Sequence, residues 1–69
     1  MNKVEKQTPN NIKKLRSKFH LTQQQLADKI DRARPFLGGV EVGQYILTDD
    51  MKTRIADALG IDESEIVIY

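Results

Sequence analysis

The chain has 69 residues, no Cys, no Trp, one His and a formal net charge of +1, with 39% hydrophobic and 30% charged residues. That length allows one small domain, and the composition excludes a disulfide framework, a thiolate metal site and a His-rich metal centre. The longest apolar run, Ile66-Val67-Ile68-Tyr69, is far too short for a membrane span, and the Met1–Lys6 segment lacks the apolar stretch of a signal peptide, so a cytoplasmic all-α domain is expected.

The charge is unevenly spread. Residues 1–34 carry nine Lys and Arg against three acids, about +6, whereas residues 35–69 carry two against seven, about −5. A basic half suits a polyanion such as the DNA backbone; a solvated basic helix followed by acidic helix caps would give the same count.

Residues 1–7 are polar, without an apolar period, and read as a flexible arm preceding a domain over 8–69. Thr8-Pro9 is a helix start, with Thr as N-cap and Pro where no amide donor is needed, and Ile12, Leu15 and Phe19 line one face of a first helix from about Pro9 to Phe19. Thr22 and Gln25 form a capping box for a second helix at about 22–30, with Leu26, Ala27 and Ile30 as its buried stripe. Asp31 follows as a residue that tolerates a left-handed turn.

Phe36, Leu37 and Val40 predict a third helix at about 34–42. It is intrinsically weak, since Pro35 is tolerated only in the first turn and Gly38 and Gly39 each cost about 1 kcal/mol relative to Ala. Gly43 is its natural stop. An apolar loop, Gln44-Tyr45-Ile46-Leu47, leads to a fourth helix that Thr48 or Asp49 caps, with Met51, Ile55, Ala58 and Leu59 inward and Gly60 at its end. Asp62-Glu63-Ser64-Glu65 has the D-x-x-E pattern of a capping box and predicts a short fifth helix running into Ile66-Val67-Ile68-Tyr69, a β-branched end for which an extended path is the alternative.

Three motifs then fall in one register. Leu21-Thr22-Gln23-Gln24-Gln25-Leu26-Ala27-Asp28-Lys29-Ile30 resembles the L-T-Q-x-x-L-A-x-x-[LIV] stretch of Cro/phage-repressor-type (XRE-like) helix-turn-helix proteins. Val40-Glu41-Val42-Gly43 is similar to that family's [IVW]-E-x-G, and Arg54–Ile61 to its K-I-A-x-A-L-G-[VI] segment. The resemblance spans about residues 10–68 and implies a compact five-helix lambda-repressor-like domain. It implies that the helix over about 34–42 is the recognition helix, whose first residues read base edges in the major groove. Gln23 matches the family's phosphate-bonding glutamine, and Glu41 matches an acidic residue of structural role, for which Arg16 is a candidate partner. Gln23 and Arg34 are therefore the first candidates for DNA contact, Arg34 because a guanidinium bonds guanine in bidentate fashion. Lys13, Lys14 and Arg32 are candidate phosphate neutralisers.

The chain departs from that pattern at the reading helix. Pro35 and Gly39 stand where the family places hydrogen-bonding side chains, Gly38 removes another, and Ala33 forgoes an N-cap of about 1 kcal/mol. The following loop is apolar and then acidic, at Asp49-Asp50, where the family's is basic. Two functions fit. One is a small phage- or plasmid-type transcriptional regulator on operator DNA, with a homodimer as a candidate state and double glycine permitting close approach to the groove. The other is a modulator that binds a partner repressor protein through Phe36, Tyr45, Ile46 and Leu47. No enzyme is expected, as Ser17, Ser64 and His20 are the only pieces of a hydrolytic set, and no cofactor, metal or small-molecule substrate is implied.

Overall fold

The computed structural model describes residues 10–69, so the expected arm, Thr8 and Pro9 lie outside the described residues. Four α-helices follow in order: α1 (Ile12–Lys18), α2 (Gln23–Lys29), α3 (Arg34–Glu41) and α4 (Asp49–Leu59), then a 3-10 turn at Glu63–Glu65. The expected fifth α-helix is thus a single tight turn. Asp62 Oδ1 accepts from the amide of Ser64, and the chain leaves the turn extended at Ile66.

That extended tail has a partner at the other end of the chain. Asn11 donates its backbone amide to Val67 O, accepts from Val67 N at its side-chain oxygen (2.8 Å), and donates Nδ2 to Glu65 O (2.9 Å). Asn10 forms a bridge with Ile68, donates Nδ2 to Val40 O and accepts from Ile12 N. Helix 1 therefore begins at Ile12, later than expected, because the two residues before it spend their hydrogen bonds on the tail and on α3. Ile66 is carried into the core, while Val67, Ile68 and Tyr69 stay exposed.

The capping at α2 follows the sequence reading. Thr22 Oγ1 accepts from Gln25 N and Gln25 Oε1 accepts from Thr22 N, both halves of the box. Thr48 Oγ1 caps α4 through Met51 N, while Ala33 gives α3 no side-chain cap.

All four helices end in one way. One or two positions past each helix end a residue takes a left-handed conformation: His20 (φ 60°), Asp31 (φ 58°), Gly43 (φ 80°) and Gly60 (φ 71°). Each time the next amide bonds back to a carbonyl in the helix's last turn: Leu21 to Arg16, Arg32 to Ala27, Gln44 to Gly39, Ile61 to Ala56. This paired 6→1 and 5→2 bonding is the Schellman motif, which satisfies carbonyls a helix end leaves open. Two of the four sites hold non-glycine residues, and Asp31 is the one whose side chain eases that conformation.

One core joins the elements: Ile12 and Leu15 from α1, Leu26, Ala27 and Ile30 from α2, Leu37 and Val40 from α3, Leu47, Met51, Ile55, Ala56 and Leu59 around α4, and Ile66. Ala27, fully buried, is the small residue of the α2 stripe in the α2–α3 pair. The packing of Leu37 and Val40 holds α3 helical despite its two glycines.

Candidate nucleic-acid interface

The residues that set α3 against the rest form one hydrogen-bonded chain. Glu41, at the last turn of α3, accepts from Arg16 Nε at 2.7 Å and Arg16 Nη2 at 3.2 Å, a bidentate pair. The two side chains are only 11% and 2% exposed for Arg16 and Glu41. The third guanidinium nitrogen, Nη1, donates to Leu21 O at 2.8 Å, so Arg16 ties the end of α1 to the start of α2 and the end of α3. Glu41 Oε1 also accepts from Gln23 Nε2 at 2.9 Å. Gln23 Oε1 in turn accepts from Arg34 Nη1 at 3.4 Å. The chain Arg16–Glu41–Gln23–Arg34 thus runs from the interior to the exposed first residue of α3. No buried side-chain nitrogen or oxygen is left without a partner among the described residues.

Gln23 and Arg34 are therefore brought together. Gln23 is held by an acid on one side and offers its oxygen to a cation on the other. Arg32 is exposed, just before α3, with its guanidinium carbon 6.0 Å from the centre of the Phe36 ring. Lys13 and Lys14 are exposed on α1 and border a shallow depression with Asn10, Asn11, Ser17, Glu41 and Tyr69. No described contact joins them to Gln23 or Arg34.

The four residues of the apolar alternative differ in environment. Leu47 is 5% exposed and belongs to the core, and Phe36 is partly buried against that core. Tyr45 and Ile46 are 46% and 64% exposed. Val42, which sequence reasoning did not single out, is exposed beside them in sequence.

Tyr45 stacks on Phe36, with ring centroids 5.4 Å apart and planes 20° from parallel. Its ring also lies over Gly39: a Cβ there would collide with Tyr45 Cε2 and stand 2.8 Å from Cδ2. Glycine 39 is thus explained by the tyrosine that covers it, and the close approach it permits is already filled by this chain. A glycine inside a helix, followed six residues later by an aromatic just past the Gly43 turn, was the sequence signal for this contact. Gly38 has room: a Cβ there would meet only the Gln23 amide, at 3.7 Å.

Among the described residues no group of acidic or His side chains could hold a metal ion, and no helix is long and apolar enough to cross a membrane.

A model of the helix-turn-helix family matches residues 12–66. The restriction-modification controller protein C.AhdI from Aeromonas hydrophila is 33% identical, over 80% of this chain and 83% of its own, with a TM-score of 0.76. The clp gene regulator ClgR from C. glutamicum superposes with a TM-score of 0.76 at 18% identity, over 78% of this chain and 70% of its own, a likeness of fold. No curated protein sequence matches the chain.

Proposed function

The chain belongs to the helix-turn-helix family, and on that premise we propose that it is a small transcriptional regulator of phage or plasmid type that binds operator DNA with α3 as the recognition helix. The observation that carries this reading is the Arg16–Glu41–Gln23–Arg34 chain, which places a polar amide and an exposed guanidinium together at the start of α3. Arg34 contacts a base edge or phosphate, Gln23 contacts phosphate, and Arg32, Lys13 and Lys14 neutralise the backbone beside them. The regulatory roles that the names of C.AhdI and ClgR carry agree with this reading. A symmetric operator calls for two copies, and the exposed Val67, Ile68 and Tyr69 provide apolar area for a homodimer.

The test is fluorescence anisotropy of the full chain on duplex DNA from the gene's flanking region across a salt series. Each phosphate neutralised contributes about −0.9 to the slope of log K against log salt, so Arg32→Ala, Lys13→Ala and Lys14→Ala each flatten the slope by about one contact. Absence of binding at low salt refutes the reading.

Exposed Tyr45, Ile46 and Val42 favour a second reading, a modulator that captures a partner repressor protein. Leu47 takes no part in that surface because it is buried. Co-elution with the repressor in size-exclusion chromatography, lost on Ile46→Asp, supports it; separate elution refutes it.

A further inference from the structure

The recognition helix has no hydrogen-bonding side chain at Pro35, Gly38 or Gly39, yet the space beside Gly39 is occupied. The Schellman turn at Gly43 folds the chain back, with Gln44 N on Gly39 O at 2.8 Å, and brings Tyr45 onto the helix. The ring lies where a side chain on residue 39 would lie, and it stacks on Phe36, one helical turn earlier. Roughly half of the tyrosine stays exposed. Arg32 lies against the Phe36 ring, and Arg34 opens the same helix with its guanidinium on Gln23, so the patch is apolar at its centre with a cation at its edge.

We propose that Tyr45 is a specificity-determining residue: it replaces the side chain that Gly39 lacks and, with Phe36, contacts the 5-methyl group of thymine in the major groove. The argument is one of chemical complementarity. The one apolar group a base pair offers in the major groove is the thymine methyl. A reading surface made of ring carbons has that group to recognise, while its arginine edge meets phosphate or guanine. The cationic rim also favours a polyanion over an apolar protein surface as occupant. This inference rests on the DNA-binding reading above.

The experiment starts with selection of duplexes from a randomised pool by the full-length protein. Each thymine of the selected duplex is then replaced in turn by uracil, which removes only the methyl group. At one or two positions, uracil should weaken wild-type binding about three- to fivefold, the loss expected for one buried methyl. Tyr45→Ala should bind thymine and uracil duplexes alike at those positions, and Tyr45→Phe, which keeps the ring, should still distinguish them. Gly39→Ala, which forces the ring off the helix, should lose the distinction with the tyrosine still present. Circular dichroism confirms that each variant is helical, and the uracil scan on the unaltered protein needs no variant at all. Selected duplexes that bind equally well with uracil at every position overturn the inference and leave the DNA-binding reading standing. A uracil effect that persists in Tyr45→Ala does the same. No selected duplex, and no salt-dependent binding, overturns both; capture of a repressor protein abolished by Tyr45→Ala would then give the surface to a protein partner.

Discussion

Removing the Glu41 carboxylate gives the sharpest test of how this fold is held. Its oxygens accept from Arg16 at 2.7 and 3.2 Å and from Gln23 at 2.9 Å, and the side chain is 2% exposed. Glu41→Ala leaves the Arg16 guanidinium, 11% exposed, with Leu21 O as the only acceptor among its described bonds. Breaking a buried pair from one side costs about 3–5 kcal/mol, because the remaining charge stays desolvated and unpaired. A core in a chain this short supplies about 3–5 kcal/mol in all. The ratio of folded to unfolded chains should therefore fall more than about 100-fold, and much of the population should be unfolded at room temperature. Urea unfolding followed by far-ultraviolet circular dichroism measures this; with a slope near 1 kcal/mol per molar for a small domain, the midpoint should drop by about 3 M. Replacing both partners, Arg16→Met with Glu41→Leu, removes the orphaned charge and should recover most of the loss. That double variant still frees Gln23 and hence Arg34, so its DNA affinity should stay low although its fold is restored. A loss below about 1 kcal/mol in Glu41→Ala, or a double variant no more stable than the single one, would refute the reasoning.

Three further outcomes are expected. Leu26→Ala, at a fully buried position of α2, should cost about 2–5 kcal/mol in urea unfolding through lost burial and the cavity left behind. Thr22→Ala removes the acceptor for Gln25 N and should cost about 1 kcal/mol, measured in the same way. His20→Gly should raise the melting temperature by the equivalent of about 0.5–1 kcal/mol: glycine relieves the strain at φ 60° but gains entropy in the unfolded chain, and Asp31→Gly should gain less because Asp already eases that conformation.

The helices α2, α3 and α4 were legible in the sequence because their signals are local. Thr22 and Gln25, or Thr48 and the turn it starts, act within four residues, and apolar spacing marks the buried face directly. The pairing of Arg16 with Glu41, 25 residues apart, was reached as a family resemblance rather than from spacing. The start of α1 and the end of the chain were not legible. Asn10 and Asn11 fall inside the helix expected from Pro9, and only the return of Val67 and Ile68 to their side shows that their hydrogen bonds are spent across the fold. The same holds for Asp62–Glu65, which has the letters of a capping box but makes a single 3-10 turn, after which the chain leaves extended at Ile66.

The sequence by itself determined a basic half ahead of an acidic one, the apolar stripes of α2 and α3, the caps of α2 and α4, and a third helix without polar side chains at Pro35, Gly38 and Gly39. It could not say what fills the space beside Gly39, because nothing local to the helix marks the side chain that returns over it. Tertiary structure decided that the neighbour is Tyr45, that Leu47 belongs to the core, and that Gln23 joins Glu41 to Arg34. Each of these depends on where a turn redirects the chain, and the left-handed residue at Gly43 sets that direction for the loop that covers α3.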